Sequence, residues 1–322
     1  MKKTYLDHNA TTPLRPAARA AMMGALDHTG NASSIHGFGR EARKMIEDAR
    51  GIIARSLDVS NGQVIFNSGA TEGNTTILRG FAGKRILISS IEHPSIRDSG
   101  VAVEHIPVTA DGVVDMAAYE KMLHTGTPPA LVSVMMVNNE TGVIQPIADI
   151  ARLAKSVGAI VHTDCVQAYG RIPMTRESLG VDALTLSSHK IGGPQGVGAL
   201  VTAAGIVLPR LIEGGGQEKR QRGGTENVAG IAAFGAAAAE AIAQLDAYQK
   251  LAELRDRIEN HLRPSNRITI HGANAPRVSN TSMVTVSGVS GETLLMAFDL
   301  DGVALSAGSA CSSGSTRFTH VL

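Results

Sequence analysis

The sequence predicts an α/β fold: a mostly parallel sheet flanked by helices, followed by a smaller α+β C-terminal domain. Three observations predict it. Short apolar runs alternate with amphipathic stretches through the first two thirds of the chain, the pattern of repeated strand–helix units. The run Leu131–Val137 is apolar nearly throughout, as a strand buried on both faces must be. After His261 the elements become shorter and mixed, and 322 residues at about 150 per domain predict about two domains.

In chain order, Arg15 to His28 predicts a helix with Pro16 in its first turn. Gly39 to Leu57 predicts a second, because Ala42, Met45, Ile46, Ala49 and Ile53 recur at helical spacing. Strands are expected at Val64–Phe66, Arg85–Ser89, Val101–His105, Leu131–Val137, Ala159–Thr163, Ala183–Ser187 and Gly198–Thr202. Helices are expected between them at Ala70–Gly80, Asp115–Leu123 and Ile147–Val157. Val228 to His261 reads as one long Ala-rich helix. Beyond it, Arg267–Ile270, Met283–Val286 and Val303–Leu305 read as strands and Gly291–Asp299 as a helix. The domain boundary is expected inside the long helix near residue 245, giving a large domain over 13–245 and a small one from 1–12 with 246–322.

Composition narrows the function. The formal net charge is +1, which leaves no electrostatic footprint for nucleic acid or an anionic membrane. Aromatics are 3% with no Trp, so stacking platforms for single strands are scarce. The two cysteines, Cys165 and Cys311, make neither a disulfide framework nor an all-cysteine metal site. Met1-Lys2-Lys3 is followed by Thr4-Tyr5-Leu6-Asp7-His8-Asn9 where a signal peptide needs an apolar stretch, and no apolar run is long enough to span a bilayer. A cytoplasmic protein with reduced thiols is expected.

Four strand ends carry unusual residues, at the edge where open α/β sheets bind ligands. Phe66-Asn67-Ser68-Gly69-Ala70-Thr71-Glu72 is a strand, a small-residue turn and a helix start: a phosphate cup, or a plain cap. Val161-His162-Thr163-Asp164 puts a carboxylate after a buried strand, which a cation such as a protonated pyridine would stabilise; a helix N-cap is the alternative. Leu186-Ser187-Ser188-His189-Lys190-Ile191-Gly192-Gly193-Pro194 puts a lysine, which can form a Schiff base, before glycines that let a bulky ligand approach the backbone. His93 precedes Pro94 and is held extended, where it could stack on a flat ring or serve structure alone. Asp164 and Lys190 lie 26 positions apart, which fits one strand–helix–strand excursion and places both at the same sheet edge. Together these describe a pyridoxal phosphate site.

The chain resembles the cysteine desulfurases, of the class V aminotransferase group of fold-type-I pyridoxal phosphate enzymes. The matching pieces are Tyr5-Leu-Asp-His-Asn-Ala-Thr-Thr-Pro13, Ser68-Gly-Ala-Thr-Glu72, Val137-Asn-Asn-Glu-Thr-Gly142, Asp164, Gln167, Ser187-Ser-His-Lys190, Arg222-Gly-Gly-Thr225 and Ser306-Ala-Gly-Ser-Ala-Cys-Ser-Ser-Gly314. Each is short, but their order covers essentially the whole chain. The resemblance implies that Lys190 holds the cofactor covalently, Asp164 meets its pyridine nitrogen and His93 stacks on its ring and takes part in proton transfer. It implies that Gln167 contacts the ring oxygen, Asn139 lies in the pocket, and Ala70, Thr71, Ser187 and His189 bind the phosphate. Thr225 matches a threonine that reaches the phosphate of a neighbouring subunit, so a homodimer is implied.

Cys311, in a loop of small residues, matches the family's nucleophile, which works as a thiolate. Cys165 is assigned to packing. The implied reaction removes sulfur from L-cysteine, releases alanine and leaves a persulfide on Cys311. An acceptor or scaffold protein for iron–sulfur cluster or thio-cofactor assembly then takes the sulfur. Family members continue beyond the equivalent of Leu322, through the rest of the small domain and an arginine that grips the substrate carboxylate. The small domain is therefore expected to lack its C-terminal part, and Arg317 lies too early for that role. Gln195 stands where relatives commonly carry lysine. The alternatives are a selenocysteine lyase or another class V aminotransferase, and an inactive docking protein for sulfur transfer.

Overall fold

A computed structural model describes residues 3–308 and 319–322. The chain opens with strand β1 (Thr4–Tyr5) and helices α1 (Pro16–Leu26) and α2 (Gly37–Ser56), then strand β2 (Val64–Asn67) and helix α3 (Ala70–Gly80). There follow β3 (Ile86–Ser89), the one-turn α4 (Pro94–Arg97), β4 (Glu104–Ile106), α5 (Met116–Leu123), β5 (Leu131–Ser133), α6 (Ile147–Ser156) and β6 (Ile160–Asp164). The one-turn α7 (Arg176–Leu179), β7 (Ala183–Ser187), β8 (Gly198–Thr202), a short turn α8 (Gln217–Arg220) and α9 (Val228–Ala243) come next. The last elements are α10 (Leu245–Gln249), α11 (Leu251–Leu262), β9 (Ile268–His271), β10 (Met283–Val286), α12 (Gly291–Leu300) and β11 (Val303–Ala304).

Seven strands form the central sheet in the order β2-β8-β7-β6-β5-β3-β4. From β4 to β7 all neighbours are parallel; β8 is antiparallel to both β7 and β2. Strands β3, β5, β7 and β8 are buried at every residue, which explains their unbroken apolar or small composition. Helix α9 packs against α1 and α2. Its contact with α2 is so close that a Cβ on Gly235 would lie 2.7 Å from Ala49 Cα. Outside this sheet, β9 pairs antiparallel with β10, and β1 pairs in parallel with β11, bringing the N-terminal strand onto the C-terminal elements. Among the described residues no single helix is long and apolar enough to cross a membrane.

The strand expected at Val101–His105 forms later, at Glu104–Ile106, and two longer elements also need correction. The stretch expected as one long helix is three, with a 66° bend between Val228–Ala243 and Leu245–Leu262. Arg15 explains the position of the break, because its Nη1 donates to Glu240 Oε1 (2.8 Å) and Gln244 Oε1 (2.7 Å), pinning the end of α9 to the start of α1. The strand expected over Leu131–Val137 ends at Ser133. Val134 and Met136 amides still donate to the β6 carbonyls of His162 and Asp164, but on the β3 side the Met135 amide turns to the Glu92 carboxyl (2.7 Å). A side chain there replaces the neighbouring strand.

The segment leading to Thr225 is anchored by a buried ion pair. Arg50 Nη1 and Nη2 donate to the two oxygens of Glu218 (2.7 and 2.9 Å), and Glu218 Oε2 also accepts from the Phe66 amide (2.9 Å). Glu218, Lys219 and Arg220 all take left-handed backbone conformations (φ 45°, 55° and 65°), which cost energy in non-glycine residues and persist only where surrounding contacts hold them. Removing one partner of a buried pair strands the other's charge. Glu218→Gln is therefore expected to lower the unfolding free energy by about 3 kcal/mol in urea denaturation, and a loss under about 1 kcal/mol would contradict the assignment of this pair as the anchor.

Candidate active site

The carboxyl edge of the parallel strands gathers most of the residues singled out from the sequence. Asp164 is the last residue of β6 and is 5% exposed. Burying a carboxylate there requires donors. Its Oδ1 accepts from the Val166 amide (2.9 Å) and its Oδ2 from Asn74 Nδ2 (2.7 Å). Asn74 lies one turn into α3, whose first residues are Ala70 and Thr71. The first amides of a helix have no carbonyl partner within it, so the start of α3 presents N–H donors. Gly198 on β8 lets this turn sit against the sheet, since a Cβ there would meet Gly69 Cα at 2.7 Å.

β7 ends at Ser187 and runs into a tight turn over Ser188–Lys190. Lys190 Nζ donates to the carbonyls of Asn9 and Ala10 (the latter at 2.8 Å). Gln167 Nε2 also donates to the Asn9 carbonyl (3.0 Å). His189 Nδ1 lies 3.2 Å from Thr11 Oγ1. The N-terminal segment after β1 therefore crosses the site and touches Lys190, Gln167 and His189. Asn9 is the hub: its Nδ2 donates to the Asn139 carbonyl (3.1 Å) and Thr281 Oγ1 (3.0 Å), while its Oδ1 accepts from Arg171 Nη1 (2.8 Å) and Asn280 Nδ2 (3.1 Å).

His93 caps α4, its Nδ1 accepting from the Ser95 amide (3.1 Å). Burial holds its pKa below the ordinary value, with Asp164 opposing and Lys190 reinforcing that shift. Burial, with Lys190 and Arg171 nearby, lowers His189 to about 4. His162, two residues before Asp164, is lowered to about 3 by burial and lies between Ser133 Oγ (2.8 Å) and Thr185 Oγ1 (2.9 Å). Glu92 is fully buried; burial raises its pKa to about 8, and the Asp164 charge adds to the shift against hydrogen bonds from Ser89 and Met135. Cys165 is buried with its thiol pKa raised by burial first and then by Asp164, an unreactive environment consistent with packing.

The structure thus brings together Ala70, Thr71, His93, Asn139, Asp164, Gln167, Ser187, His189 and Lys190. Thr225 is exposed on its own chain. Cys311 lies outside the described residues. The sequence reading gave no role to Asn9, Asn74, Ser95, Glu92 or Arg171, although Asn9 fell inside a stretch it quoted and Asn74 inside a helix it expected. The site suits a flat, phosphorylated pyridine aldehyde. A lysine and a carboxylate stand at adjacent strand ends, a helix start supplies anion-binding amides, and the buried Gln167 Oε1 has no hydrogen-bond partner among the described residues. Gln167 is thus a polar group that a ligand could satisfy.

Comparisons with known proteins identify the family and its relatives. The family model described as Aminotransferase class-V matches residues 4–321. The chain is 40% identical to the cysteine desulfurase IscS of Dictyoglomus turgidum, over 100% of this chain and 85% of that protein. It is 38% identical to the IscS-like cysteine desulfurase of Mycobacterium tuberculosis, over 99% of this chain and 86% of that one. Among solved structures, a NifS-like protein from Rickettsia africae superposes with a TM-score of 0.93 at 37% identity, covering 99% of this chain and 89% of its own. A structure described as SspA in complex with cysteine superposes with a TM-score of 0.85 at 28% identity, covering 99% and 93%.

Glu92 carries a pH signature. An unfolded glutamate titrates near 4.5 and the folded one near 8, so between these values the folded chain keeps a proton that the unfolded chain has released. Stability must then fall as pH rises through that window. Glu92→Gln keeps an acceptor for Ser89 and Met135 but does not titrate. Denaturation at about pH 5 and about pH 8 is expected to show the variant gaining on the wild type at the higher pH, and a difference independent of pH would contradict a buried protonated Glu92.

Proposed function

The chain belongs to the class-V aminotransferase family, and from that premise we propose that it is a pyridoxal-phosphate-dependent cysteine desulfurase working through the residues gathered at the strand ends. The observation that carries the reading is that Lys190, Asp164, His93 and Gln167 meet at one sheet edge beside the start of α3, in a chain 38–40% identical over nearly all its length to cysteine desulfurases. In this reading Lys190 Nζ holds the cofactor's aldehyde, and Asp164 faces its ring nitrogen. The ring lies by His93, its oxygen by Gln167, and its phosphate by Ala70, Thr71, Ser187 and His189. Once bound, pyridoxal phosphate supplies an aldehyde that captures an amino acid's amine and a protonated ring that withdraws electrons from its α-carbon.

The protein's own groups do the rest. Asn139 lines the pocket for L-cysteine. Lys190 Nζ takes the substrate's α-proton, and His93 serves as a second proton carrier. Cys311 works as a thiolate: a new bond forms between its Sγ and the substrate sulfur. The bond from that sulfur to Cβ breaks, leaving its electron pair on the carbon side; a proton, equal to the one the substrate thiol gives up, adds to Cβ, and return of the α-proton from Lys190 to the α-carbon completes alanine. The persulfide left on Cys311 then goes to an acceptor protein. Thr225 fits a role across a homodimer because it is exposed on its own chain, and the exposed Ile35 and Phe38 at the start of α2 supply apolar surface for such contact.

Mass spectrometry of the cofactor-loaded protein after addition of L-cysteine is expected to find one added sulfur on Cys311 together with free alanine. Cys311→Ala should keep the bound chromophore but lose sulfur release, and Lys190→Ala should lose the wild-type absorbance band. Unchanged sulfur release in Cys311→Ala refutes the nucleophile. Release from selenocysteine with none from cysteine would reassign the substrate.

A further inference from the structure

A single hydrogen-bonded chain joins Asp164 to His93 through two residues with no assigned role. Asn74 is fully buried on α3; its Nδ2 donates to Asp164 Oδ2 (2.7 Å) and to Ser95 Oγ (2.9 Å). Ser95 Oγ lies 2.9 Å from His93 Nδ1, and the Ser95 amide donates to the same nitrogen (3.1 Å). The direction of each bond can be derived. A carboxylate only accepts, so the amide of Asn74 must turn its NH2 group toward Asp164, which leaves its Oδ1 buried with no partner among the described residues. A backbone N–H only donates, so while the ring keeps this orientation His93 Nδ1 must be an acceptor and a neutral ring must carry its proton on Nε2. The Ser95 hydroxyl, receiving Asn74, is left to donate its own proton to Nδ1. Every link points from Asn74 outward: to the carboxylate on one side and to the imidazole on the other.

We propose that Asn74 and Ser95 are positioning residues for the desulfurase reaction, tying the Asp164 carboxylate to the His93 ring so that the imidazole keeps one tautomer and one orientation. The cost supports a purpose. Leaving the Asn74 carbonyl buried and unpaired is unfavourable, and a simple packing residue at that point on α3 would avoid it. The bonds instead join three elements, α3, β6 and α4, at two residues that the reaction uses. A ring fixed with its proton on Nε2 can exchange protons with the substrate only through that atom, and turning it over would present the wrong nitrogen. The kinetic part of this inference rests on the desulfurase reading; the tautomer does not.

The test uses nitrogen-15 spectra of the full chain with labelled histidine, with and without pyridoxal phosphate. The His93 signals are assigned by their loss in His93→Gln. Wild type and Ser95→Thr, which keeps the hydroxyl, are expected to show His93 as a single Nε2–H tautomer. Asn74→Ala, whose Ser95 hydroxyl is no longer oriented, and Ser95→Ala, which leaves only the backbone amide on Nδ1, are expected to let the ring turn away from that amide and to show a mixture of tautomers. In cysteine turnover the two alanine variants should lose roughly tenfold to hundredfold in kcat with KM changed less than about twofold, the signature of misplaced catalytic groups, and Ser95→Thr should restore the rate. Ser95→Ala leaves the Asn74–Asp164 bond in place, so a folding defect in Asn74→Ala does not remove the test. A single Nε2–H tautomer in Ser95→Ala, or a wild-type kcat alongside a mixed tautomer, overturns the proposal. A wild type that shows the expected tautomer but does not turn over cysteine sinks the desulfurase reading and leaves the tether standing.

Discussion

The arrangement of the site depends on one constraint: a carboxylate at the end of a buried strand must be met by donors. Asp164 ends β6 in the middle of the sheet, where it is 5% exposed. Its own following backbone supplies one donor, and Asn74 supplies the other. That requirement brings α3 down onto the strand ends. The approach is tight enough that a Cβ at Gly73 would sit 3.0 Å from the Thr185 side chain on β7. Once α3 is seated this way, its first residues, Ala70 and Thr71, stand at the mouth of the same edge. The acid that would meet a ring and the amides that would meet its phosphate are therefore parts of one packing solution.

Around that carboxylate, burial removes charge. His162, His189 and His93 are all pushed below the ordinary histidine range, chiefly by desolvation, and Glu92 is pushed up until it holds its proton at neutral pH. The floor of the site is consequently built from directed hydrogen bonds between neutral groups, which fix orientation without adding competing charge. Arg171 is the exception: it is buried and keeps its charge, and its guanidinium is spent on neutral acceptors, the Asn9 side-chain oxygen and the carbonyls of His8 and Lys190. Chain segments from residues 8–10, 139, 167–171, 190 and 280–281 meet there through amides and carbonyls, so the N-terminal segment is part of the site wall.

Much of this was legible in the sequence, and the reasons for the rest are physical. Strands β7 and β8 and helices α3 and α6 were readable to within a residue, because continuous apolar runs and helical spacing are local signals. The strand-end residues Asp164 and Lys190 were readable because a charge at the close of a buried run is locally anomalous. Asn9 and Asn74 were not. Their partners lie 130, 272 and 90 positions away, and an asparagine in a loop or on a helix looks the same whether it caps, solvates or bridges. Glu92 was hidden for the same reason: beside His93 it reads as solvated, and only the fold shows that it takes the place of a strand partner for Met135. The break at Gln244 carries no glycine or proline to announce it. It is imposed by Arg15, more than two hundred positions earlier.

The most direct measurement is covalent. The full chain is saturated with pyridoxal phosphate, reduced with borohydride, digested and mapped by mass spectrometry. The account predicts the reduced cofactor on the Lys190 side chain and on no other lysine. A map in which Lys190 is unmodified while the cofactor is found elsewhere, or nowhere, contradicts it.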